Sequence, residues 1–145
     1  MSIRKMSSVH IDVKRIEFVV INACGGKCKH CSVAESEKKS GSVDVAATVN
    51  LISRVTSKYA VESVMTFGGE PLLYPEVTCA IHATARGCGI PARQIITNGF
   101  FSHDNKKIES VASEICASGV NDVLLSVDAF HQATALRLAG YARGL

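Results

Sequence analysis

The chain has no tryptophan, and no apolar run in it approaches the ~20 residues of a membrane helix. Arg4 and Lys5 are not followed by an apolar stretch, so no secretory leader is expected, and the expected address is the cytoplasm. An excess of one charge is also missing. Lysine plus arginine number 16 against 13 aspartates and glutamates, and the resulting +3 is too mild and too scattered to argue for nucleic acid. No internal repeat or low-complexity tract is visible. The nearest thing to a flexible stretch, Glu35 to Ser42, is polar, ends in Ser40-Gly41-Ser42, and reads as a loop inside a domain.

What is present suits one folded domain. A chain of 145 residues buries about 68–70% of its unfolded surface. With 47% hydrophobic and 20% charged residues, it is not expected to be disordered. Short apolar runs rich in β-branched residues occur at Ile16–Ile21, Val61–Phe67, Gln94–Thr97 and Val123–Val127. Their near-continuous hydrophobicity predicts strands buried on both faces of a parallel sheet. Helical spacing lies between them. Val45, Val49, Ile52 and Val55 share one face, as do Ile108, Val111 and Ile115. Pro75 suits a first helical position, with Gly87 and Gly119 as helix ends. After Asp128, Ala133, Leu136 and Gly140 suggest a fourth helix. Val9, Ile11 and Val13 alternate with His10, Asp12 and Lys14, the period of an N-terminal edge strand.

The order is thus four parallel βα units, either an open doubly wound sheet or part of a barrel. In both, ligands bind at the C-terminal ends of the strands. The four strand ends carry, in turn, the Cys24 loop, Gly68-Gly69-Glu70-Pro71, Thr97-Asn98-Gly99, and Ser126 with Asp128 and His131.

Six cysteines in a cytoplasmic chain do not suggest disulfides. Cys24, Cys28 and Cys31 crowd into a C-x3-C-x2-C loop, which reads as metal or cluster ligands. Zinc takes four ligands, usually as two pairs, and no second C-x2-C pair exists here. Three thiolates on a cubane iron–sulfur cluster leave one iron open for substrate chemistry. Cys79 and Cys116 fall within helices and Cys88 after a helix end, so none is well placed as a fourth ligand. Gly25 and Gly26 allow tight wrapping around an inorganic core, and Lys27 and Lys29 offset its charge. A zinc loop or a chance grouping is the plainer alternative, and an exposed loop histidine is the plainer reading of His30. Glu70 is of a type to pair with an ammonium group. Gly-Gly before proline is otherwise a common turn, Asn98-Gly99 a common turn pair, and Ser126 and Asp128 ordinary helix caps.

Taken together, these four motifs resemble those of the radical S-adenosylmethionine (radical SAM) superfamily, from about Ile16 to His131. The resemblance implies a partial (β/α)6 TIM-like barrel, of which residues 1–145 would be a single, C-terminally truncated core domain with about four units. It implies that Cys24, Cys28 and Cys31 ligate a 4Fe-4S cluster whose open iron chelates the methionyl amine and carboxylate of S-adenosyl-L-methionine. Gly68, Gly69 and Glu70 would contact that amine, and His30 would lie beside the adenine. Ser126 would contact ribose or carboxylate, with Asn98 and Asp128 as weaker candidates. A reductant such as flavodoxin or ferredoxin would supply the electron. The cofactor would then split into methionine and a 5′-deoxyadenosyl radical, which abstracts hydrogen from an unknown substrate. The alternatives are a non-catalytic iron–sulfur or electron-transfer module, and an inactive fragment. A hydrophobic last strand with a free edge also points to self-association.

Overall fold

The computed structural model describes residues 11–26, 28, 31 and 41–126. Four strands, β1 (Arg15–Ile21), β2 (Ser63–Gly68), β3 (Ala92–Thr97) and β4 (Asp122–Leu125), alternate with three helices, α1 (Val45–Thr56), α2 (Pro75–Gly87) and α3 (Asn105–Ser118). A single 3-10 turn, Pro71–Leu73, links β2 to α2. Each strand pairs in parallel with the next, in the order β1-β2-β3-β4. A doubly wound sheet reverses its strand order at a switch point. This sheet does not, so the strands form an arc of the wall of a partial TIM-like barrel. Val127, Asp128 and the expected fourth helix lie outside the described residues.

Local chemistry sets the helix ends. Asp44 Oδ1 accepts from the Ala47 amide at 2.6 Å and starts α1. Asp104 Oδ1 accepts from the Lys106 amide at 3.0 Å and starts α3. Pro75 opens α2, where its missing N–H costs nothing. Gly119 closes α3 in the left-handed conformation, φ 94°, as expected. The α2 helix runs through Gly87, and the left-handed residue after it is Gly89.

The core lies between sheet and helices. Phe18, Val20 and Val64 meet Ile52 of α1 and Val77 and Ile81 of α2, while Ile95 meets Val111 and Ile115 of α3. The helix-facing spacing read from the sequence for α1 and α3 therefore holds.

Two expectations need correction. Ile11–Lys14 form no edge strand; they precede β1, and Val9 and His10 lie outside the described residues. The Lys14 carbonyl instead accepts from the amides of Glu62 and Ser63, at 2.8 and 3.1 Å, so this segment is tied to the entry of β2. Nor are all the strands buried on both faces, as β2 is at Val64, Met65 and Thr66. Arg15, Glu17 and Val19 of β1 are exposed, as is all of β4. The reason is the curvature of a singly wound sheet. All the described helices serve the outer face, and among the described residues no layer packs on the inner one. That inner face is partly polar: Arg15 donates to Glu17 Oε1 and Gln94 Oε1, both at 2.6 Å, and Gln94 Nε2 donates to Asp122 Oδ2 at 2.6 Å.

One polar pair is sunk in the core. His82 of α2 is fully buried, its Nε2 2.9 Å from the Thr66 hydroxyl of β2, and its Nδ1 has no hydrogen-bond partner among the described residues. Burial, helped by the positive charge of Arg93, pushes its pKa down to about 4. The unfolded chain, with an ordinary value near 6.5, takes up that proton first as pH falls. Stability from this site is therefore complete above about pH 6.5 and is lost toward pH 4, by about 3 kcal/mol at most. Urea unfolding at pH 7 and pH 5 should show the loss in the parent and a flatter profile in His82→Gln. Equal profiles would assign the pH dependence to other groups.

Candidate functional site

The sheet brings the ends of its four strands to one rim. There, two backbone hydrogen bonds fasten the Cys24 loop to the loop after β2. The Gly69 amide donates to the Ile21 carbonyl at 2.6 Å, and the Glu70 amide to the Ala23 carbonyl at 2.9 Å. A register shift in β1 between Val19 and Ile21 sets up this approach. The two loops come so close that a Cβ on Gly69 would lie 2.0 Å from the Ala23 carbonyl oxygen. A Cβ on Gly68, which has φ +131°, would lie 2.5 Å from that of Ile21. The steric need for both glycines thus comes from the chain itself, where the sequence suggested close approach to a ligand. Both residues retain some exposed surface on the rim.

Glu70 is drawn inward, with no exposed surface. Oε1 accepts from the Thr97 hydroxyl at 2.7 Å and the Leu72 amide at 3.0 Å, and Oε2 from the Asn98 amide at 2.8 Å. Burial raises its pKa, and these hydrogen bonds oppose that rise. Three donors, spread over the 3-10 turn and the end of β3, turn the carboxylate into a clasp between two rim loops. The Thr97 hydroxyl, which the sequence marked only as part of a turn, also accepts from the Gly99 amide at 2.9 Å.

Through that clasp Asn98 reaches the cysteine loop. Its Nδ2 donates to Cys24 Sγ at 3.2 Å, and its Oδ1 accepts from the Phe100 amide at 2.7 Å. The Gly26 amide donates to the same sulfur at 3.2 Å. A Cβ on Gly26 would stand 3.3 Å from Cys24 Sγ and 3.7 Å from Cys28 Sγ, so both sulfurs flank this glycine and a side chain there would press on Cys24. Phe100 packs against Gly25 on the other side of the loop and meets the His103 ring edge-on, with centroids 5.0 Å apart. Cys31, exposed, donates its amide to the Cys28 carbonyl at 3.2 Å. The Ser126 amide donates to the Thr97 carbonyl at 2.9 Å, which sets Ser126 beside the β3 end. His30 and Asp128, like Lys27, Lys29 and His131, lie outside the described residues.

The remaining cysteines are elsewhere. Cys79 packs with Ile95, Val111 and Ile115, and Cys88 is exposed after α2. Cys116 borders an apolar cavity of about 450 Å³ between α3 and the sheet. Among the described residues, no three Cys, His, Asp or Glu side chains close on a single ion. A cubane cluster asks for something different, because each thiolate binds a different iron and the sulfurs stand farther apart than the ligands of one ion. Two sulfurs flanking a glycine, a third cysteine three residues on, and N–H donors to sulfur fit that requirement.

Ala23 is a contact that sequence reasoning missed. It acts through its carbonyl, and no residue type signals that. Gly69→Ala should markedly destabilise the protein, because the added methyl has no room beside Ala23. Gly87→Ala, where a Cβ meets nothing within 4 Å, should be neutral or stabilise by about 0.4–1 kcal/mol. Denaturant midpoints of the two variants check this, and similar midpoints would contradict it.

Comparison with known proteins agrees with the geometry. A probable GTP 3',8-cyclase from Methanocaldococcus jannaschii is 23% identical over 117 residues, covering 81% of this chain and 37% of that protein. A GTP 3',8-cyclase from Chlorobaculum tepidum is 26% identical over 116 residues, covering 80% of this chain and 33% of that protein. The chain therefore spans about a third of the length of the curated relatives it matches. The family model of the radical SAM superfamily matches residues 18–143. That match begins inside β1 and takes in every strand end on the rim, and by it the chain belongs to the radical SAM superfamily.

Proposed function

We propose that Cys24, Cys28 and Cys31 hold the 4Fe-4S cluster that members of this superfamily use, with one iron left for S-adenosyl-L-methionine, and that the chain is the core of an enzyme that cleaves this cofactor reductively. One observation carries the reading. At the end of β1, Cys24 Sγ receives N–H donors from Gly26 and Asn98 among the described residues, and Cys28 Sγ flanks the same glycine. A cluster held by these three cysteines would supply the electron for reductive cleavage of S-adenosyl-L-methionine.

The chain's own residues supply position. Glu70 acts through others: it holds Asn98 and the β3 end against the cysteine loop. The exposed backbone of Gly68 and Gly69 is assigned to the methionyl amine, Ser126 and Asp128 to ribose or carboxylate, and His30 to the adenine side. Members generally take their electron from a reductant such as flavodoxin or ferredoxin, and that class of partner is assigned here. No helix among the described residues is long and apolar enough to cross a membrane. A cytoplasmic address suits a loop of three reduced thiols.

Anaerobic reconstitution should load about four irons per chain. Cys28→Ala should abolish the cluster, and Cys116→Ala, altered on α3 outside the cysteine loop, should keep it. Equal loss in both variants would overturn the three-cysteine assignment, and absence of 5′-deoxyadenosine from a loaded, reduced chain would favour a non-catalytic iron–sulfur module.

A second chain is the proposed partner of the β4 edge. Among the described residues β4 pairs only with β3, and Val123, Leu124 and Leu125 are 58%, 43% and 42% exposed. Sedimentation should show self-association that Leu124→Lys weakens; a monomer at all concentrations would contradict it.

A further inference from the structure

The side chain of Asn98 is held at each of its polar ends. Its Oδ1 accepts from the Phe100 amide at 2.7 Å, and its backbone amide is bound to Glu70 Oε2 at 2.8 Å. Reversing the side-chain amide would set an N–H against the Phe100 N–H and a carbonyl oxygen against the sulfur. The Phe100 bond therefore determines which end faces Cys24. Nδ2 meets Cys24 Sγ at 3.2 Å. Asn98 is 6% exposed, so water competes little for that N–H. The second donor to the same sulfur, the Gly26 amide, is backbone. Among the described residues, Asn98 is thus the side-chain donor through which the fold acts on Cys24.

We infer that Asn98 is a positioning residue that raises the reduction potential of the cluster bound at Cys24, by donating a hydrogen bond to the ligating thiolate. The inference rests on the cluster assignment above. One-electron reduction adds negative charge that spreads onto the thiolate sulfurs. A fixed N–H dipole aimed at one of them stabilises the reduced form more than the oxidised form, and the potential rises. The donor is independent of the ligand's presence, because Glu70 and Phe100 hold Asn98 without any help from the sulfur. The clasp at Glu70 and the electronics of the cluster are thereby joined through one residue.

Two variants of the reconstituted chain test it. Asn98→Asp keeps the acceptor for the Phe100 amide and replaces the donor by a carboxylate; Asn98→Leu removes the donor without adding charge. The readouts are iron content and the midpoint potential from a redox titration followed by electron paramagnetic resonance. With iron content unchanged, the equilibrium for reduction should fall about tenfold in Asn98→Leu, which is about 59 mV to the negative for one electron. It should fall further in Asn98→Asp. A merely structural role would alter iron loading or melting but not the potential of a loaded cluster. Parent-like potentials in both loaded variants would overturn the inference and leave the cluster assignment standing. Failure of both variants to load would also overturn it, since a donor that only tunes is dispensable for assembly. A parent chain that binds no cluster would instead overturn the assignment beneath it.

Discussion

A carboxylate with no access to water organises the rim. Glu70 leaves β2 just after the two glycines, and its side chain turns inward to take hydrogens from Leu72, Thr97 and Asn98. Burying a charge without partners is costly, and three well-directed donors offset that cost here. The consequence is positional. The 3-10 turn after β2 and the loop after β3 share one anchor, and the Glu70 amide fastens that anchor to Ala23, next to Cys24. Three of the four strand ends are therefore set by one residue, and the orientation of Asn98 toward the thiol depends on it.

Steric exclusion does the rest. Gly68 and Gly69 let β2 end against the carbonyls of Ile21 and Ala23 at distances no other residue allows. Within the cysteine loop Gly26 lies beside two sulfurs, where a Cβ would press on Cys24 Sγ. These are tight backbone contacts on a rigid sheet, whereas the fastening of Glu70 is electrostatic. Together they hold the thiol loop at a defined place on the rim, as precise cofactor chemistry needs.

The two faces of the sheet do different work. The outer face is filled by α1, α2 and α3 and carries the apolar core, with the His82–Thr66 pair sealed within it. The inner face has the Arg15–Gln94–Asp122 hydrogen bonds at the strand starts and Val19 nearer the rim. A polar lower layer and an open upper rim belong together in a barrel wall, where ligands bind at the C-terminal ends of the strands.

Much of this was legible from the chain alone. Runs of β-branched residues marked β1 to β4, and the spacing of Val45, Val49, Ile52 and Val55 marked α1, because backbone period and side-chain burial are local properties. Alternation of strands and helices then put Cys24, Gly68, Asn98 and Ser126 on one rim before any contact was known. The partners on that rim were not legible. Glu70 finds its donors 27 and 28 residues later, at Thr97 and Asn98, and Gly69 is demanded by the Ala23 carbonyl in the loop after β1. Burial on both faces holds in the middle of β2 and fails in β1 and β4, because an apolar run does not report whether a layer covers its second side. Residue type determined which groups stood at the strand ends. Only the tertiary structure decided which of them face each other, because hydrogen bonds and steric limits across a sheet depend on distances that sequence separation does not encode.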